Sequence, residues 1–201
     1  ELAFDIGTGT GVLSAVLARR GVRRVVATVD NLARAQAPSR MWPVQPMPQR
    51  FVVDGEGDAL TTIATTNAAR YSAFLTFAEA VPLEPAVALY ARLYPLFQQA
   101  YEELGYPKRY FNDRLVAVLD HLLLAPEPKS PLRVKLTPVN TDVPNLRPWV
   151  RYEFVDPALE SLTSGQKILV RMGPANQARA KALLRDLRKR VATSELQLPQ
   201  R

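Results

Sequence analysis

Val22-Arg23-Arg24-Val25-Val26-Ala27-Thr28-Val29-Asp30-Asn31-Leu32 decides the fold, because it satisfies two incompatible patterns. Val25-Val26-Ala27-Thr28-Val29 alone is β-branched enough for a buried strand. Over the longer window, Val22, Val25, Val26, Val29 and Leu32 fall at i, i+3, i+4, i+7 and i+10, the apolar stripe of an amphipathic helix. The longer match predicts the helix, and with it a mainly α chain. A strand would instead set Asp30 at a strand end and continue a parallel α/β sheet.

Upstream, the residues point the other way. Leu2-Ala3-Phe4-Asp5-Ile6 is a short apolar run of strand character, and Gly7-Thr8-Gly9-Thr10-Gly11 reads as a loop. Val12 to Arg20 has helical spacing at Val12, Leu13, Val16 and Leu17, with Gly21 as its C-cap. Strand, glycine loop and helix make a truncated Rossmann-like βα unit. Glycines in such a loop let the backbone turn tightly and approach a ligand, while amides at the helix start meet its negative group. The spacing differs from the dinucleotide Gly-x-Gly-x-x-Gly pattern.

Downstream, prolines punctuate the chain. Pro38, Pro43, Pro46 and Pro48 enforce an extended connector carrying Trp42. Phe51-Val52-Val53, the turn Asp54-Gly55-Glu56-Gly57-Asp58, and Ala59 to Ile63 predict a small hairpin. Helices are expected from Asn67 to Val81 and from Glu84-Pro85 to Gly105, the second kinked or split at Pro95. Asn112 or Asp113 is expected to cap a helix through Leu124, with Leu115, Val118, Leu119 and Leu122 facing inward. Leu132 to Leu136 and Trp149 to Phe154 alternate with period 2 and predict a strand pair. Asp156-Pro157 and Thr163-Ser164 open two short helices. After Gly173-Pro174 a final helix runs to about Val191, leaving 194–201 as an expected disordered tail.

Composition bounds the rest. In 201 residues, 47% hydrophobic and 22% charged, there is material for one good core, which argues against wholesale disorder. The absence of cysteine removes disulfides, thiolate metal sites and cysteine nucleophiles, and a lone histidine, His121, excludes a histidine-rich metal site within one chain. Asp120 and His121 are helix neighbours and do not face each other, so a surface or boundary histidine is expected rather than a catalytic one. Asp54, Glu56 and Asp58 mimic the start of a calcium loop, but Thr65 stands where its last glutamate is required. No run approaches the roughly 18 apolar residues of a membrane span. The chain opens at Glu1 without a visible signal peptide, and its N-terminus reads as cut. A net charge of +7 invites a nucleic-acid reading. However, Arg179, Lys181, Arg185, Arg188, Lys189 and Arg190 wrap around the last helix instead of forming a stripe, so a solvated helix is expected.

Two resemblances overlay this reading. Asp5 with Gly7, Gly9 and Gly11 resembles the first signature motif of class I S-adenosylmethionine-dependent methyltransferases. That resemblance implies S-adenosylmethionine as cofactor, with Asp30 as the ribose-binding acid, and a cytoplasmic enzyme. From Val22 onward the chain resembles an uncharacterised bacterial family, domain of unknown function 3014. The segments that carry it are the opening stretch, Met41-Trp42-Pro43-Val44, Leu93-Tyr94-Pro95-Leu96-Phe97-Gln98-Gln99-Ala100-Tyr101 and Gly105-Tyr106-Pro107. Tyr110-Phe111-Asn112-Asp113-Arg114-Leu115, Tyr152-Glu153-Phe154, Ser164-Gly165-Gln166-Lys167 and Arg171-Met172-Gly173-Pro174 continue it in order. This second resemblance implies a mainly helical domain, commonly behind an N-terminal membrane anchor, with no known activity and no cofactor.

The expected organisation is therefore a methyltransferase-like segment over 1–21, dispensable for folding, a mainly helical α+β domain over 22–193, and the tail. The leading functional expectation is a non-enzymatic, envelope-associated or protein-interaction domain; the alternative is the methyltransferase. The aromatic residues Tyr90, Tyr94, Phe97, Tyr101, Tyr106, Tyr110 and Phe111 are expected in the core rather than around a pocket. Tyr106, Tyr110, Phe111, Asn112, Asp113 and Arg114 form a connector rich in rings and polar groups. It reads either as an interaction surface for a protein partner or as a buried knot satisfying neighbouring backbone.

Overall fold

A computed structural model describes residues 9–38, 42–43, 49–55, 61–137 and 148–192. In chain order its elements are α1 (Gly9–Leu32), β1 (Val53–Asp54), β2 (Thr62–Ile63), α2 (Asn67–Ala80), α3 (Leu83–Glu103) and α4 (Phe111–Leu123). Then come β3 (Val134–Leu136), β4 (Tyr152–Phe154), α5 (Pro157–Glu160), α6 (Ser164–Arg171) and α7 (Pro174–Val191). The architecture is mainly helical α+β.

The deciding stretch is helical, and α1 runs through Gly21 rather than ending there. A glycine inside a helix costs about 1 kcal/mol relative to alanine. Burial of Val26, with Val22, Val29 and Leu32 packed beside the core, outweighs that cost. Gly9 and Gly11 lie in the same helix, so the expected loop and C-cap are corrected, and no Rossmann-like βα unit appears among the described residues. Asp5, Gly7, the strand expected at Leu2–Ile6 and the tail 194–201 lie outside the described residues.

α1 packs against α3, α4 and α6, while α7 packs against α2 and α4. Val29 touches two core clusters. One holds Leu75, Val118, Leu122, Leu169 and Met172; the other holds Val26, Tyr94, Tyr101 and Phe111. The aromatic rings belong to that second cluster, as core, with Tyr101 and Tyr106 stacked at 4.5 Å between centroids. Tyr110 is the exception and is exposed.

Both strand pairs form as expected and are antiparallel, Val53 opposite Ile63 and Val134 opposite Phe154. A bridge between Thr62 and Arg133 joins the two pairs. Asp156 caps α5 by accepting from the Ala158 amide at 2.9 Å, and Thr163 and Gln166 form a capping box on α6.

Two local expectations are corrected. Pro95 does not split α3, because proline removes only one helical hydrogen bond and buried Tyr94, Gln98, Ala100 and Tyr101 hold the helix around it. Neither Asn112 nor Asp113 caps α4. Its N-cap is Tyr110, which makes no side-chain cap, and the orphan Phe111 amide donates to Gln98 Oε1 of α3 at 2.9 Å. Tertiary contact here supplies what local capping was expected to supply.

The tightest junction lies where α6 begins. A Cβ on Gly165 would stand 2.5 Å from Leu122 Cδ2 and 2.8 Å from the Leu32 carbonyl oxygen, so only glycine lets α6 approach α1 and α4 this closely. Beside it the Ser164 amide donates to the Arg34 carbonyl and its hydroxyl to the Asn31 carbonyl, each at 2.8 Å. These bonds close the C-terminal end of α1.

Candidate functional site

Of the residues singled out from sequence, Tyr106 and Arg114 meet at Asp30. Asp30 lies near the end of α1, buried, with 8% of its side chain exposed. Arg114 Nε donates to its Oδ1 at 2.8 Å, and Arg114 Nη2 to its backbone carbonyl at 3.1 Å. Arg34 Nη2 donates to Oδ2 at 2.6 Å and also to the Tyr106 hydroxyl, which in turn donates to Oδ2 at 3.4 Å. Asp30 holds the Arg34 guanidinium above its ordinary pKa, chiefly by its charge. Both carboxylate oxygens are engaged inside the protein. The placement of Asp30 as a strand-end acid is corrected: it is a helix residue locked by arginines.

The connector between α3 and α4 divides into an inner and an outer set. Phe111 is 2% exposed and packs with Val26 and Tyr101. Asn112 Nδ2 donates to the Val191 carbonyl at 3.1 Å, at the end of α7, and its Oδ1 accepts from the Tyr90 hydroxyl. With Arg114 and Tyr106 on Asp30, these side chains form a knot. Pro107, Lys108, Arg109, Tyr110 and Asp113 point outward, and Tyr110 is 55% exposed. Gln98, which sequence reasoning missed, pins this connector by donating to the Arg109 carbonyl at 2.9 Å while accepting from Phe111.

A second cluster was not anticipated. A cleft of about 550 Å³ is lined by Ala35, Gln36, Ala37 and Trp42, by Thr137, by β4 with the residues just before it, and by α5 and α6. Lys167 and Arg171 stand one turn apart on α6 and line it together. Arg171 Nη2 donates to the Tyr152 carbonyl at 2.9 Å, and its guanidinium lies 5.0 Å from the Phe154 ring centroid. Burial pushes this guanidinium below its ordinary pKa, with the Glu160 charge opposing. Among the described residues, four buried nitrogens of cleft-lining side chains have no hydrogen-bond partner: Trp42 Nε1, Arg151 Nε and Nη1, and Arg171 Nε. The carboxylates nearby are committed elsewhere. Glu160 binds Lys167 and accepts from the Phe154 amide at 2.8 Å, and Glu153 pairs with Lys135 at 3.2 Å.

His121 Nε2 shares a 3.0 Å hydrogen bond with Thr163 Oγ1 at the capping box of α6. Among the described residues no group of three or more His, Asp or Glu side chains is placed to hold a metal ion. The basic last helix is largely engaged within the protein. Arg179 pairs with Glu79 and Arg188 with Asp120, while Lys181, expected in solvent, is 5% exposed and donates to the Ala125 carbonyl and Glu127. No single helix among the described residues is long and apolar enough to cross a membrane.

Residues 21–188 match the model of the family described as a protein of unknown function (DUF3014). No curated protein and no solved structure matches the chain.

Proposed function

Since the chain belongs to the DUF3014 family, whose description assigns no activity, we propose that it is a non-enzymatic interaction domain working at the bacterial envelope. The observation that carries this reading is the engagement of Asp30 by Arg114, Arg34 and Tyr106. It occupies the carboxylate that a methyltransferase would offer to a ribose, and it anchors the connector between α3 and α4. A connector fixed in this way presents Tyr110 beside Lys108, Arg109 and Asp113 with little entropy left to lose on binding. Tyrosine with flanking charge suits a protein partner, since aromatic anchors ringed by polar groups dominate such interfaces. The envelope assignment rests on the family resemblance alone, which implies that the domain commonly follows a membrane anchor.

The test is a photo-crosslinking side chain at position 110 of the full-length protein in its native cells. A matched probe replaces Leu124, also exposed, on the end of α4. Position 110 should give one discrete protein adduct that position 124 does not. Equal labelling from the two positions, or none from 110, overturns the reading.

A further inference from the structure

Buried polar nitrogens without partners are rare in native proteins, because each forfeits its bonds to water and recovers nothing. Three side chains that line one cleft carry four of them, which core packing does not explain. All four are donors, and three belong to guanidiniums, which carry charge at any physiological pH. Among the described residues that line the cleft, Arg151, Arg171 and Lys167 outnumber Glu153 and Glu160, so the lining carries a net positive charge.

We propose that this cleft binds a phosphorylated organic molecule, its phosphoryl group held by Arg151, Arg171 and the Trp42 indole N–H. Charge calls for an anion, and the number of donors selects the phosphoryl group. A phosphate monoester brings three acceptor oxygens to two guanidiniums and an indole, whereas a single carboxylate brings two. Guanidinium edges also meet phosphoryl oxygens in paired hydrogen bonds. The size argument selects an organic body. A volume of about 550 Å³ is in the range of small-molecule sites and far exceeds a bare ion. Trp42, Ile168 and Val150, the last of them 68% exposed, give the cleft apolar wall for that body.

Local structure holds the two arginines in place. The Tyr152 carbonyl and the Phe154 ring orient Arg171. The Arg151 backbone carbonyl accepts from both the amide and the hydroxyl of Thr137, at 3.0 and 2.8 Å, which fixes the base of its side chain.

The test uses phenyl phosphate, inorganic phosphate, benzoate and benzyl alcohol as probes in isothermal titration calorimetry on the full chain. Phenyl phosphate should bind saturably at one site and at least tenfold tighter than the other three. Arg151→Gln and Trp42→Phe should each weaken it tenfold or more while thermal unfolding stays cooperative, and Arg92→Gln, on exposed α3 surface, should leave it unchanged. If Arg151→Gln fails to fold, Trp42→Phe decides alone, because it keeps a ring and removes only the N–H and some apolar area. Phenyl phosphate binding no tighter than benzyl alcohol overturns the proposal, as does affinity unchanged in Trp42→Phe. Benzoate binding as tightly as phenyl phosphate overturns the phosphoryl assignment.

Discussion

Replacing Asp30 with asparagine keeps the side-chain volume and removes the charge, so its effect isolates the arginine engagement from any cavity. Breaking a fully buried ion pair costs about 3–5 kcal/mol by leaving the partner uncompensated. Here the partners are less buried: 29% of the Arg114 side chain and 49% of the Arg34 side chain are exposed, which lowers the expectation. Arg34, half in water, contributes little, as exposed pairs do. Arg114 carries most of the effect, through charged hydrogen bonds worth about 1.5–3 kcal/mol each. Asp30→Asn should therefore lose about 2–3 kcal/mol, a shift of roughly 1 M in the urea midpoint for a slope of about 2.5 kcal/mol per M. Arg114→Met should lose a similar amount and Arg34→Met the least. The Asp30→Asn/Arg114→Met double variant should fall short of the summed losses by about 1 kcal/mol or more, because the two groups share one interaction. Urea denaturation followed by circular dichroism measures all four. A loss below about 0.5 kcal/mol for Asp30→Asn, the range of ordinary surface changes, would refute the reasoning.

Gly165→Ala should destabilise by roughly 1–3 kcal/mol through overpacking against Leu122 and the Leu32 carbonyl, and an unchanged melting temperature would contradict that close approach. S-adenosylmethionine should show no micromolar affinity in calorimetry, about −8 kcal/mol, since the Asp30 carboxylate is already occupied; heats of that size would reopen the methyltransferase reading. Burial above all pushes the Tyr90, Tyr94 and Tyr101 hydroxyls above their ordinary range. Their contribution to stability is complete below the unfolded value near pH 10 and is lost as pH rises from there through the folded values. Phenolate absorbance should show these three ionising only together with loss of helical dichroism; Tyr90, Tyr94 and Tyr101 titrating near pH 10 with the helices intact would contradict it.

Patterns that repeat within a few residues were legible in the sequence. The i, i+3, i+4 stripe from Val22 to Leu32 gave the right helix, Asp156 and Thr163 marked two helix starts, and both strand pairs followed from period-2 alternation. Gly21 misled because a local rule was allowed to end a helix that packing on α3, α4 and α6 sustains. Asp113 misled for a related reason: its position suits a cap, yet the α4 amide is satisfied by Gln98, a residue on another helix. The true role of Asp30 depends on Arg114, 84 positions away, and no local spacing announces such a pair. The cleft is assembled from Trp42, Arg151 and Arg171, drawn from three separate segments. Met41-Trp42, Tyr152-Glu153-Phe154 and Arg171-Met172 all lay within matched segments of the family resemblance.

The closure of α1 by Ser164 has a consequence for synthesis on the ribosome. The Asn31 carbonyl and the Ser164 hydroxyl that caps it are 133 positions apart. At about 5–20 residues per second, α1 emerges roughly 7 to 27 s before that partner exists. Val22 and Val26 meet their partners on α3 and α4 sooner, but Val29 and Leu32 also pack on the cluster that α6 completes, and that part of the stripe waits out the whole interval. α1 is thus made long before its last partner, and in a growing chain the part of its apolar side that awaits that partner is the natural handle for a holding chaperone.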